Sequence, residues 1–249
     1  MNRVSLLWAA VFLGAGLVVS AWWRQSIYRH ASVEEEYESA AAKYDNTWKV
    51  YTNITISESL SRSLPTLEAL PCQPTCTVLD VGCGTGALAY ALKSHFPRWS
   101  VTCSDLSAEM LKQAQSARQL DTVVASSESL PFSSNVFDVV VTASSFHFWS
   151  NHTAAVCGEI TRVLRPGGIF LLADWSHDFL SCQLCSLYLR LVGHPRSAYT
   201  IWSLDQISLL TSSCGLTQEA AFVYEVPLRP FGISFFPRWG MMTLLTRKD

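Results

Sequence analysis

Apolar positions along this chain follow two kinds of pattern. Val4 to Trp23, reading VSLLWAAVFLGAGLVVSAWW, is a run without a single charge, and about 20 apolar residues at 1.5 Å rise span the hydrocarbon core of a bilayer. Beyond it, short apolar runs alternate with helical spacing. Glu34 to Trp48 forms a charged helical approach, and Thr55 followed by Glu58 makes a capping-box pattern that opens a second helix toward Leu70. Strands are then expected at Thr77 to Val81, Ser100 to Ser104, Thr122 to Ala125, Val136 to Ala143 and Ile169 to Ala173. Helices are expected at Ala87 to His95, Ser107 to Arg118 and Asn151 to Leu164, with another opened by Ser203 and Gln206. Short, nearly unbroken apolar strands belong to parallel sheets covered on both faces. The pattern predicts an α/β fold, a doubly wound, mostly parallel sheet, preceded by one N-terminal transmembrane helix.

Composition narrows the class. The 249 residues are 49% hydrophobic and 15% charged, with a formal net charge of -2 and a mean hydropathy of +0.19. Disordered chains are more polar and nucleic-acid binders more basic, so both are excluded. The charge-free run accounts for part of the apolar excess. Its length exceeds the 7 to 15 residues of a signal-peptide core, and Trp22 and Trp23 stand where an interfacial aromatic belt lies, so a retained anchor is expected rather than a cleaved leader. The chain then divides into an anchor (1–29), a helical approach (30–70) and one α/β domain (71–249).

Arg24, Arg29 and His30 follow the run, which places the domain on the cytoplasmic side. The sequons Asn53-Ile54-Thr55 and Asn151-His152-Thr153 would be used only on the opposite side. Eight cysteines pair in sequence only as Cys72-x-x-x-Cys76 and Cys182-x-x-Cys185, with no nearby His to complete a zinc site. No metal is expected, and all eight read as reduced structural thiols.

The chemistry starts at the first strand-to-helix turn, Asp80-Val81-Gly82-Cys83-Gly84-Thr85-Gly86-Ala87. Glycines there let the backbone approach a ligand closely, and the following helix offers free N–H groups. Gly82, Gly84 and Ala87 also satisfy a dinucleotide pattern. Asp80 separates the two readings, because a carboxylate at the strand mouth repels a diphosphate and attracts a cation.

These residues resemble the class I S-adenosylmethionine-dependent methyltransferases, in particular the type 11 group that contains the ubiquinone and menaquinone methylases. The resemblance runs from about Tyr44 to Asp174. It rests on Val78 to Gly86, on Asp105 at the end of the second strand, on Leu130-Pro131-Phe132 with Phe137-Asp138-Val139-Val140, and on Arg162 to Gly168. It implies S-adenosyl-L-methionine as cofactor, held by Asp80, Gly82, Gly84, Gly86, Asp105, Leu106, Ser126, Ser127 and Ser144. Where many relatives carry an acid after the third strand, this chain has Ala125-Ser126-Ser127-Glu128, and Ser126 is a neutral acceptor in its place.

A sulfonium methyl is already activated, so such an enzyme needs mainly to align donor and acceptor and exclude water. His147, in Ser144-Ser145-Phe146-His147-Phe148-Trp149, is the expected catalytic base or orienting group, against the alternative of a packed wall residue. Tyr44, Trp48 and Tyr51 share one helical face on the approach. Trp175 to Trp202, with Phe179, Leu180, Leu184, Leu187, Tyr188, Leu191, Tyr199 and Ile201, reads as an insertion covering an apolar acceptor site. The expected partner is a small-molecule or lipid acceptor at a membrane, with nucleic acid excluded. A methyltransferase-fold binding or scaffold protein and a protein methyltransferase are the alternatives.

Overall fold

The computed structural model describes residues 33–149, 152–191, 200–228 and 238–249. The expected anchor, Asn151 and Tyr199 lie outside these residues, as do the side chains of Tyr188 and Leu191. Among the described residues no helix is long and apolar enough to cross a membrane.

Seven strands form one sheet in the order β3-β2-β1-β4-β5-β7-β6. Strands β1 (Thr77–Val81), β2 (Ser100–Asp105), β3 (Asp121–Val124), β4 (Phe137–Ala143) and β5 (Leu164–Trp175) pair in parallel. Strand β7 (Trp239–Lys248) runs antiparallel between β5 and β6 (Leu216–Val226). The helices are α1 (Val33–Glu68), α2 (Ala87–His95), α3 (Ala108–Arg118), α4 (Thr153–Val163), α5 (Leu180–Leu191) and α6 (Leu204–Ser213).

Alternation along each strand divides the core between the two faces. Val78, Val139 and Ile169 pack with Leu67 of α1, Leu92 of α2 and Leu111 of α3. Their neighbours Leu79, Val140 and Phe170 pack with Ile160 of α4 and Ile207 of α6. Each central strand is therefore apolar on both sides, as a doubly covered sheet requires. Strand order reverses between β1 and β4, which opens a crevice at the carboxyl ends of these strands. Short polar signals set the helix starts. Ser107 Oγ accepts from the Met110 N–H at 3.2 Å, and Ser203 with Gln206 forms a reciprocal capping box ahead of α6.

Two expectations are corrected. The N-terminal approach is one helix of 36 residues, not two. Thr55 is not a cap: its hydroxyl donates back to the Tyr51 carbonyl at 3.0 Å, one turn up the same helix. The cysteines are not all reduced, because Cys72 and Cys76 form a disulfide across the turn between α1 and β1. The other six are free thiols. Burial pushes Cys182 up to about 11 and Cys185 up to about 12, which keeps them inert at neutral pH.

Candidate functional site

The crevice between β1 and β4 holds a cavity of about 260 Å³. Its floor is the turn between β1 and α2, where Gly82, Gly84 and Gly86 all have positive φ. Two of these glycines are forced by their surroundings. A Cβ on Gly82 would lie 2.9 Å from Ser145, and one on Gly86 would lie 2.5 Å from Leu120 Cδ1. Gly84 is different, with nothing within 4 Å of a Cβ position, so the missing side chain leaves room on the cavity side. Its N–H donates to Asp105 Oδ2 at 2.8 Å.

Two carboxylates stand over this turn. Asp80 is 1% exposed and lines the cavity. Its Oδ2 accepts from the Ala89 N–H at 3.1 Å, while Oδ1 has no partner. Burial pushes its carboxyl up to about 8, and the nearby Asp105 charge adds to the rise. A buried oxygen without a donor is costly unless a ligand supplies one, and a cationic ligand fits best. Asp105 closes β2 and accepts from the Gly84 and Ser107 N–H groups. Burial raises its carboxyl despite those bonds. Each of its oxygens keeps a second lone pair, so it can also accept from two ligand hydroxyls. Leu106 beside it is half exposed at the cavity edge.

The loop after β3 brings Ser126, Ser127 and Glu128 to the same cavity. Ser126 Oγ accepts from the Glu128 N–H at 3.3 Å. Glu128 reaches out to His152 at 3.1 Å, both at the rim. After β4, Ser144 takes the left-handed conformation at φ 54, a strained choice for a residue with a Cβ. Its hydroxyl lies 3.3 Å from the Tyr51 hydroxyl. Ser145 Oγ donates to the Gly82 carbonyl at 2.6 Å and ties the two strand ends together. The structure thus brings Asp80, Gly82, Gly84, Asp105, Leu106, Ser126, Ser127 and Ser144 to one cavity wall, with Gly86 just behind it at the start of α2.

Helix α1 roofs the cavity. Tyr37, Tyr44 and Tyr51, at seven-residue spacing, all line it, whereas Trp48, expected on that face, is 47% exposed outside it. Seven residues are nearly two full turns, and eleven or fourteen drift only slowly, so the third member of the column is Tyr37. Burial raises the Tyr44 hydroxyl to about 12 and the Tyr51 hydroxyl further still. A clamp that single-chain reading missed holds this roof to the floor. Asp45 of α1 accepts from Thr85 Oγ1 at 2.6 Å and pairs with Arg118 at 2.6 Å, and Arg118 also donates to the Thr85 carbonyl. Nothing in the sequence links Asp45 to Arg118, because the sheet alone makes them neighbours.

Two expected elements lie elsewhere. His147 is not among the residues lining the cavity. It is 4% exposed, its Nδ1 lies 2.9 Å from Asp174 Oδ1, and its ring stacks on Trp175 at 4.7 Å. The Asp174 carboxylate also accepts from the His147 and Trp175 backbone N–H groups. The pair fastens the turn after β4 (Phe146–Phe148) to the end of β5, with the imidazole turned into protein. None of the described residues of the Trp175 to Trp202 segment lines the cavity either. Helix α5 packs on β7 through Cys182, with Leu180, Leu184 and Leu187 exposed. No group of three or more potential metal ligands occurs among the described residues.

The comparisons with known proteins agree with this geometry. A family model described as "Methyltransferase domain" matches residues 79–172. The chain is 35% identical over 198 residues to a malonyl-[acyl-carrier protein] O-methyltransferase of Geobacter sulfurreducens, covering 76% of this chain and 72% of the relative. It is 31% identical over 166 residues to a demethylmenaquinone methyltransferase of Leptospira interrogans, covering 60% and 63%. The fold is similar to that of a SAM-dependent methyltransferase from Methanosarcina mazei, with a TM-score of 0.60 at 18% identity over 74% of this chain and 96% of that one.

Proposed function

The chain belongs to the class I S-adenosylmethionine-dependent methyltransferases, and from that premise we propose that it methylates a small, lipophilic acceptor at a membrane. One observation carries the choice of acceptor. The described cavity wall contains the carboxylates Asp80, Asp105 and Glu128 and a set of aromatic and aliphatic side chains, among them Tyr37, Tyr51, Ile56, Phe148 and Trp149, but no Lys or Arg. A carboxylate acceptor, such as the malonyl group named for one relative, would find no Lys or Arg on the described wall to pair with. A neutral aromatic acceptor of the kind named for the other relative matches the apolar part of the wall. The charge-free run Val4 to Trp23 supports placing the reaction at a membrane.

The cofactor supplies an activated methyl group, and the chain's own residues bind, orient and enclose. Asp105 would receive the ribose hydroxyls, Ser126 and Ser127 would face the base, and Asp80 would answer the positive charge of the methionine portion. Gly84 leaves space for the close approach, while Gly82 and Gly86 hold the shape of the turn. Tyr51 and Ser144 form a polar pair at the carboxyl end of β4, where the acceptor heteroatom arrives. Burial keeps the Tyr51 hydroxyl protonated at neutral pH, so it orients by hydrogen bonding and removes no proton. Helix α1, clamped through Asp45, excludes water from the aligned pair, whose reacting atoms must approach to about 3 to 3.5 Å.

The positive residues after the apolar run favour a domain on the cytoplasmic side. A second reading, with the domain in a lumen, is favoured by the Cys72–Cys76 disulfide and by exposure of Asn53 in its sequon. The test of the main reading incubates the membrane-bound full chain with methyl-labelled S-adenosylmethionine and a total lipid extract. Label in a lipid-soluble small molecule is expected. Label confined to protein, or to an acyl carrier protein added alongside, would overturn the lipophilic acceptor.

A further inference from the structure

Helix α5 is built inside out for a globular protein. Its inward face carries small polar residues: Ser181 and Cys182 are both fully buried, and Cys182 Sγ donates to the Gly240 carbonyl of β7 at 3.2 Å. Gly240 admits this close seat, since a Cβ there would lie 2.2 Å from the Phe179 ring. The outward face carries Leu180, Leu184 and Leu187, at i, i+4 and i+7, with 58%, 38% and 52% of their surface exposed. Single exposed leucines are ordinary, but three on one helical stripe are a surface in search of an apolar phase. Phe179 to Leu187 contains no charged residue at all.

The buried face of α5 packs on α1. Cys182 and Cys185 pack in one cluster with Tyr51 and Ile54 of α1, and Tyr51 contacts the exposed Trp48 ring with centroids 6.1 Å apart. Tryptophan is the residue type that settles at the level of lipid headgroups. Tyr51 reaches the cavity from the same cluster and bonds both Ser144 and the Trp175 Nε1–H. The buried face of α5 and the expected acceptor end of the cavity therefore share one side chain.

We propose that Leu180, Leu184 and Leu187 of α5, the helix whose opposite face packs with Tyr51, dock on the surface of a lipid bilayer. The proposal rests on the membrane reading given above. Nine residues lie between Trp23 and Val33, and the ten backbone steps they make reach at most roughly 35 Å fully extended. A span at Val4 to Trp23 holds the start of α1 within that distance of the bilayer, so the domain meets its surface at a high effective concentration for a weak second contact. An uncharged leucine stripe offers no hydrogen bonds or ion pairs with which to select a protein, but suits the acyl boundary of a membrane. A lipophilic acceptor would then pass from bilayer to site without crossing water.

The experiment inserts the full chain into phosphatidylcholine vesicles containing a lipid with a photoactivatable diazirine in its acyl chain, and maps the cross-links by mass spectrometry. Label is expected in two peptides, 4–23 and 180–187. Replacing Leu180, Leu184 and Leu187 together by Glu should lower label in 180–187 by roughly tenfold or more, the share of even one leucine's transfer, with label in 4–23 unchanged. Label in 4–23 alone would overturn the docking while leaving the anchor intact. Label in neither would remove the membrane reading and the proposal together. The map of the unaltered chain decides between these outcomes without the variant.

Discussion

Asp80 should make the cofactor-free enzyme lose stability as pH rises. Its carboxyl is buried beneath the glycine turn with one oxygen unpartnered, and burial moves its ionisation from 3.8 to about 8. In the unfolded chain the same group ionises near 3.9. Between those values the unfolded state has released a proton that the folded state retains. The stabilisation is therefore complete below about pH 4 and declines until about pH 8. Four decades of proton concentration at 1.36 kcal/mol each set the loss at about 6 kcal/mol. Asp80→Asn keeps the shape and removes the titration, so it should unfold at higher urea than the parent at pH 8, with the advantage vanishing toward pH 4. Urea unfolding of both chains at each pH isolates Asp80, because all other groups are common to the two. Binding of the cationic cofactor should reverse the preference and expel the proton, about nine tenths of one per site at pH 7. Calorimetry in two buffers of different ionisation enthalpy reads that proton directly. Parallel stability curves for the two chains, together with buffer-independent binding heat, would refute the reasoning.

His147→Ala should cost about 3 kcal/mol, because it leaves the buried Asp174 carboxylate without its Nδ1 partner. Turnover measured well below the melting temperature should stay within about threefold, whereas loss of a general base costs roughly a hundredfold or more; a drop of that size at unchanged stability would restore the base. Gly84→Ala and Gly86→Ala should part company. Both backbones are left-handed and strain any Cβ, but at Gly86 the new Cβ also strikes Leu120, so thermal stability should fall further there, by about 2 kcal/mol, while at Gly84 the space is open and calorimetry should show lost cofactor affinity beyond the loss of stability.

The centre of the parallel sheet was legible because β1, β4 and β5 are apolar on both faces and bounded by turn residues. Val78-Leu79 and Val139-Val140 announce burial on both sides without any knowledge of the partners. The cofactor turn was legible for a local reason too, since Asp80 and the three glycines are needed at fixed spacing whatever surrounds them. The antiparallel pair β6 and β7 was not assigned. Leu216–Val226 mixes polar and apolar residues at an edge, and Trp239–Lys248 owes its burial to neighbours distant in sequence. Thr55 and Glu58 misled because a helix-start signal is only two residues, and a hydroxyl can equally well bond its own helix. His147 was open to two readings because aromatic neighbours describe a pocket and a core alike. Its partner Asp174, 27 residues further on, has no local signal in the sequence. The Asp45 clamp depends on three segments that meet only after folding.

The placement of β7 governs when this sheet can exist during synthesis. Strand β7, which follows β6 in the chain, is not at the margin but between β5 and β6, with eight of its ten residues buried. Until those residues emerge, β5 presents an open apolar edge and β6 has no partner. Lys248 then closes the assembly, donating to the Thr161 and Leu164 carbonyls on the far side. A chain interrupted before residue 239 is not a slightly frayed enzyme but a half-open sheet, ready to pair with the next such chain. For this enzyme, synthesis of residues 239–248 is itself a folding step.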